Sequence, residues 1–248
     1  MPTPFAPVKG VHENVMKQII ARRERLRTAA VTEIKGVARR LLVEGGPTAI
    51  SLRGIARDMG MTAPAIYRYF PSLDALVIEL TGDLFDELRE TIEAARDSVP
   101  AEPMVQLLEM ARAFRRWSLA HPPEFALMFG NPLPGVAEFE ADCSPEHPGA
   151  KFGAPFLAAF AEAFQFIPLR TPPAAVIEAE LGEHLAPYRT AFGADVPIEI
   201  VYAYLAGWTR LYGMVALEVF GHMRWAVDDM GALFELELAT FVRDLLRP

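Results

Sequence analysis

Cysteine is almost missing from this sequence: Cys143 stands alone, which excludes an intramolecular disulfide and a cysteine-based zinc cluster. Histidine is sparse and scattered (His12, His121, His147, His184, His222), with no i,i+4 pair to set two ligands on one helix face, so neither a metal nor a cofactor is expected. No run reaches the roughly 18–20 uninterrupted apolar residues of a membrane span, and the opening lacks the basic-then-apolar plan of a secretory signal. A cytoplasmic protein with no membrane partner is therefore expected. Alternating apolar and polar runs are lacking too, as is any internal repeat, which argues against a sheet and against a solenoid.

What is present suits a folded, soluble, all-α protein of two domains: 248 residues, 52% hydrophobic and 23% charged. The net charge of −8 is unevenly spread. Residues 1–74 carry 12 Lys/Arg against 6 Asp/Glu, and the rest of the chain 12 against 26. A small basic head on an acidic body fits a protein that neutralises phosphates at one end, although a solvated basic helix would give the same count.

The proline-rich opening reads as an arm over residues 1–11, with Lys9 a candidate phosphate contact. A helical pattern runs from 12 to 44, with the stripe Ile34, Val37, Ala38, Leu41 and Leu42, and stops at Gly45-Gly46-Pro47; Arg22, Arg23, Arg25 and Arg27 make its early turns basic. Two short helices follow, 52–59 capped by Ser51 and 63–70 capped by Thr62. Pro71-Ser72 then opens a long helix over 72–96 that joins head to body. In the body, helices are expected at 104–120, 124–129, 152–166, 174–192, 198–223 and 228–246, around a proline-rich loop at 131–149. The domains are thus an arm and helix extension (1–24), a three-helix helix-turn-helix head (25–80) and a larger helical body (81–248).

The informative segment is 52–70. Ala56 is the small residue over which a second helix can cross, Gly60 permits the positive φ of the turn, and Ile55, Met59, Met61 and Ile66 point inwards. The second helix is left to enter a major groove by its first turn. There Thr62 offers a hydroxyl to phosphate, Ala63, Pro64 and Ala65 are small enough to meet thymine methyls, and Tyr67, Arg68 and Tyr69 supply longer donors, while Arg53 can reach a guanine edge or a phosphate.

These residues, Ile34…Ala38-x-x-Leu41-Leu42-x-x-Gly45…Ser51-Leu52-x-x-Ile55-Ala56-x-x-x-Gly60-Met61…Ile66-Tyr67-x-Tyr69-Phe70, resemble the DNA-binding domain of the tetracycline-repressor (TetR) family over about residues 25–80. The resemblance implies a homodimer joined through its last two helices, a larger C-terminal domain that binds a small molecule, and Arg53, Thr62, Ala63, Pro64, Ala65, Tyr67, Arg68 and Tyr69 in DNA-facing positions. Where the family usually has lysine at the start of the fourth helix, this chain has Leu73. Late in the chain, Trp208-x-x-x-Tyr212-Gly213 is similar to a Trp-x-x-x-His-Gly motif found in a subset of the family, with tyrosine in place of histidine.

Aromatics crowd the body, and singly each reads as core. Together with methionines they suggest an apolar pocket, with Phe114, Trp117, Phe125, Met128, Trp208 and Tyr212 as the residues lining a site for a small apolar or amphipathic effector. Glu109, Arg112, Arg115 and Arg116 stay open between a solvated face and ligand contacts. The expected function is a repressor released from a palindromic operator in duplex DNA by such an effector. An enzyme would have to use carboxylates such as Glu138, Glu140, Asp142, Glu178, Glu180 and Glu183, but no nucleophile elbow, phosphate loop or paired-histidine motif accompanies them, so no enzyme is expected. A helical scaffold that binds only protein would leave the Tyr-x-Tyr-Phe turn and the basic head without a purpose.

Overall fold

The computed structural model describes residues 9–130, 136, 144, 146–164, 167, 169–192 and 196–246. Glu138, Glu140, Asp142, Cys143 and most of the expected 131–149 loop lie outside them. Ten α-helices and no strand are found among the described residues, and the chain divides into two compact units, Met1–Leu80 and Thr81–Pro248. None of these helices is long and apolar enough to cross a membrane.

In the smaller unit, α1 (Lys9–Gly45) begins earlier than its sequence pattern suggests and buries Ile34, Ala38 and Leu42 completely. Gly46, at φ 75°, ends it, and Pro47 starts a single 3-10 turn. Ser51 caps α2 (Leu52–Asp58): its Oγ accepts the Gly54 N–H at 3.1 Å. The helix closes with a Schellman pair, Met61 N–H to Ala56 O and Gly60 N–H to Arg57 O, which requires the left-handed conformation that Gly60 adopts (φ 63°). α3 is only Ala63–Ile66, shorter than the expected 63–70. Its last turn tightens into i→i+3 bonds, Arg68 N–H to Ala65 O and Tyr69 N–H to Ile66 O, because Phe70 must turn into the core and Pro71 forbids a further helical turn.

α4 (Leu73–Asp97) supplies its first two turns to the smaller unit and the remainder to the larger. Ser72 Oγ caps it by accepting the Ala75 N–H. The larger unit continues with α5 (Pro103–Ala120), α6 (Pro122–Phe129), α7 (Pro148–Phe164), α8 (Ala174–Phe192), α9 (Ile198–Val219) and α10 (Met230–Leu246). Pro148, assigned to the loop by its composition, opens α7 instead, where its missing N–H breaks no bond. α5 is the central element, touching α6, α7 and α9, while Ile177 and Leu185 of α8 form a separate cluster with Ile198 and Val201 of α9.

Candidate nucleic-acid interface and aromatic core

In the smaller unit the two faces of the α2–α3 hairpin are chemically distinct. Leu52, Ile55, Ala56, Ile66 and Phe70 are buried against α1 and one another. Arg53, Thr62, Ala63, Pro64, Tyr67 and Arg68 are exposed, and Ala65 and Tyr69 are half-buried. Six of the eight residues expected to face DNA thus share solvent access, with Tyr67, 48% exposed, as the large apolar group held out of the core. Thr62 takes the N-cap conformation, but its hydroxyl makes no capping bond. The reason is local: Pro64 has no N–H to give, and the Ala65 N–H is taken by the Thr62 carbonyl at 2.9 Å. Thr62 is itself exposed, so its hydroxyl is open to solvent contacts. Leu73, at the start of α4, is half-buried and supplies no cation.

Two arginines brace this surface from α1. Arg40 Nη2 pairs with Asp58 Oδ2 at 3.1 Å, holding the end of α2. Arg27 Nη1 donates to the Arg68 carbonyl at 3.4 Å, and its guanidinium lies 5.7 Å from the centre of the Tyr69 ring. Neither partner is legible in the sequence, since both arise from the crossing of helices distant along the chain.

The larger unit gathers four of the six residues expected to line a pocket. Phe114 meets Phe125 and Trp208 at ring separations of 6.2 and 5.4 Å, and Tyr212 stacks on Trp208 at 6.2 Å and on Phe125 at 6.3 Å. The space among them is filled by Phe129, which lies 5.0–6.4 Å from all four rings. Tyr212 fixes Phe129 in turn: its hydroxyl donates to the Phe129 carbonyl at 2.6 Å. Burial raises the Tyr212 hydroxyl above its ordinary pKa, so it stays a donor. Met128 is buried on the same helix. Trp117 is placed differently: its indole N–H donates to Glu87 of α4 at 3.1 Å and its ring stacks on His121 at 4.7 Å.

A void of about 60 Å³ also borders Trp208, lined by Leu108 and Ala111 of α5, Phe156, Phe160 and Phe164 of α7, Tyr204 and Gly207 of α9, and Phe241 of α10. Of the six expected lining residues only Trp208 borders it. Gly207, on the border of this void, marks a close approach of α9 and α10. A glycine in mid-helix costs about 1 kcal/mol relative to alanine, and here it admits the Phe241 ring, 2.9 Å from where a Cβ would stand. At 60 Å³ the void is well below the roughly 300–1,000 Å³ of small-molecule pockets.

The charged residues of α5 turn out to be fasteners. Arg115 forms a bidentate pair with Glu218 of α9 (2.6 and 2.7 Å) and lies over the Phe234 ring of α10, while Arg112 holds Glu235 of α10 at 2.8–2.9 Å. Arg116 pairs with Glu109 on α5 itself. Hydrogen bonding to Arg112 pulls the Glu235 carboxyl below its ordinary pKa.

Comparison with known proteins agrees with both units. Residues 34–80 match the model of bacterial regulatory proteins of the tetR family, and residues 107–241 the model of tetracyclin repressor-like C-terminal domains. HTH-type transcriptional regulators of Mycobacterium bovis and Mycobacterium tuberculosis are 28% identical over 236 residues, covering 90% of this chain and 95% of theirs. A crystallised regulatory protein is 31% identical, with a TM-score of 0.68 over 89% of this chain and 98% of that one. A Rhodococcus protein of unknown function (20% identity, TM-score 0.62, covering 88% of this chain and 95% of that one) shares the fold.

Proposed function

Since this chain belongs to the tetracycline-repressor family of transcriptional regulators, we propose that it acts as a repressor, bound as a homodimer to a palindromic operator and released when a small hydrophobic molecule enters the larger unit. The observation that carries the reading is the pairing of an exposed Arg53, Thr62, Tyr67 and Arg68 surface with an aromatic interior that is nearly, but not wholly, closed.

The DNA part follows from the first half of that pairing. Ala63, Pro64 and Ala65 let the short α3 approach base edges, Tyr67 and Arg68 reach further, and Arg53 supplies a cation from α2. A two-fold dimer would place two such surfaces about one helical turn apart, hence a palindromic site. On α10, Leu236 is 62% exposed and Leu233 and Val242 are half-buried, which supports a dimer contact through α9 and α10.

The sensor part follows from the second half. An effector that takes the place of Phe129 among Phe114, Phe125, Trp208 and Tyr212, or that widens the void beside Trp208, must break the Tyr212–Phe129 bond or move α10 against α5. α4 is the covalent carrier to the head, and Trp117 holds it through Glu87. By linkage, an effector that favours the DNA-incompetent state lowers operator affinity by the same coupling free energy, typically about 1–3 kcal/mol.

The test begins with operator affinity at several salt concentrations for the parent, Arg53→Ala and Tyr67→Ala, each variant being expected to lose on the order of 1–3 kcal/mol. Hydrophobic compounds that quench Trp208 or Trp117 fluorescence are then added at saturation. Variants that bind as tightly as the parent refute the DNA surface. Saturating compounds that leave operator affinity unchanged refute the sensor.

A further inference from the structure

We propose that the part of α1 that extends N-terminal to the three-helix unit, residues 16–27, is a second duplex-DNA contact that grips phosphates flanking the segment reached by α2 and α3. The inference rests on the DNA-binding reading above and adds a surface that the reading does not use.

Every described residue from Met16 to Ala29 is exposed, although all lie on one unbroken helix. Residues 16–27 hold five cations, Lys17, Arg22, Arg23, Arg25 and Arg27, against the single carboxylate of Glu24, in a chain whose net charge is −8. Among the described residues, no carboxylate pairs with Arg22, Arg23 or Arg25. A run of like charge on a solvated helix is ordinarily unremarkable. Its root is what makes this one different: Arg27 is bound to the Arg68 carbonyl and lies over the Tyr69 ring, so the arm departs from the surface that faces DNA.

Arg23 lies one turn before Arg27 on the same face, and Arg22 and Arg25 share the neighbouring one, so the cations follow one another along the helix. Residues 16–27 extend about 17 Å at 1.5 Å per residue, and duplex DNA carries about one charge per 1.7 Å of its axis. Several phosphates beyond the groove contacts are within that reach. Met16, Ile19 and Ile20, each more than half exposed, could instead meet a second copy of the chain. The cations argue against that occupant, because two such arms repel one another and both are drawn to a polyanion.

The experiment uses a duplex selected from a random-sequence pool by the intact protein, made in two lengths: trimmed to the half-sites, and carrying about ten further base pairs, one helical turn, on each side. The parent should bind the longer duplex at least about tenfold more tightly, and the triple variant Arg22→Gln/Arg23→Gln/Arg25→Gln should lose that gain while binding the trimmed duplex as before. Its plot of log affinity against log salt should be shallower by about 0.9 for each phosphate that the variant no longer neutralises. The triple lysine variant, which keeps the charges, should keep the gain. Circular dichroism equal to the parent's shows that the glutamine variant remains folded. Equal affinity and equal salt slope for parent and glutamine variant on the longer duplex overturn the arm. If Tyr67→Ala still weakens binding to the trimmed duplex, only the arm falls; if the intact protein selects no duplex, the DNA-binding reading falls with it.

Discussion

One substitution made at two glycines of the smaller unit should change stability in opposite directions. Gly36 lies inside α1 and Gly60 in the turn between α2 and α3; at both, an added Cβ meets nothing within 4 Å. Sterics therefore drop out, and backbone conformation alone decides the sign. Gly36 has helical geometry, where alanine is better than glycine by about 0.8–1.0 kcal/mol. Gly60 has φ 63°, where an L-residue costs about 1–2 kcal/mol, offset by the 0.4–1 kcal/mol that alanine gains through a less disordered unfolded chain. Gly36→Ala should accordingly stabilise and Gly60→Ala destabilise, each by about 1 kcal/mol, a factor of about five in an opening constant. Hydrogen exchange at the amides of α2 and α3 reads the second effect locally: protection should fall about fivefold in Gly60→Ala and less in Gly60→Asn, since asparagine tolerates the left-handed region. Shifts of the same sign at both glycines, or unchanged exchange around residue 60, would refute the assignment of the turn.

Three further outcomes are expected from the larger unit. Tyr212→Phe leaves the half-buried Phe129 carbonyl without this donor and should lower stability by about 0.5–1.5 kcal/mol; in the parent, a tyrosine that ionises only above the ordinary pKa of 10.0 should appear in ultraviolet titration and vanish in the variant. Phe129→Ala should cost less than the roughly 3–5 kcal/mol of a fully buried phenylalanine, since Phe129 is half-buried, and should admit a small aromatic guest that the parent excludes, measured as a ligand-induced rise in Tm. The folded state holds Glu235 below its ordinary pKa of 4.5, so its contribution is present above that value and is lost as pH falls through the lowered one; Glu235→Gln should flatten the acid limb of the stability profile. Because both partners of that pair are more than a third exposed, the effect should stay below about 1 kcal/mol, and a larger loss at neutral pH would show that more than this ion pair was broken.

The head is legible almost residue by residue because its signals are local. A cap, a glycine at positive φ and a proline stop are written within a few positions of where they act, so Ser51, Gly60 and Pro71 place the turns. Two local exceptions stand out: α3, which ends at Ile66 short of the expected 70, and Thr62, whose residue type suggests a side-chain cap but whose donors are removed by Pro64 and the Thr62 carbonyl. The arm is legible as charge but not as geometry, since only the contact of Arg27 with Arg68 and Tyr69 ties it to the exposed face of the α2–α3 hairpin.

The body is legible as composition and not as arrangement, and the reason bears on how it could sense anything. Apolar periodicity says that Phe114, Phe125, Trp208 and Tyr212 face inwards; it does not say whether the space they share is empty. In the structure Phe129 occupies it, and the void beside Trp208 has a volume of only about 60 Å³. An interior closed in this way has a consequence for function. Among these rings a guest larger than the void can be seated only by moving a ring or a helix, and those parts are held by a few polar ties: Tyr212 to Phe129, Arg115 to Glu218, Arg112 to Glu235 and Trp117 to Glu87. Each tie joins α5 or α9 to another helix, so a guest that breaks one changes helix positions as a condition of entering. A ligand shifts an equilibrium only by its differential affinity for the two states, and a guest that displaces a ring or helix on entering would supply such a difference. Under the proposed sensor reading, tight packing around a small void would make binding and helix movement one event, with the coupling carried by polar ties that no hydrophobic pattern could reveal.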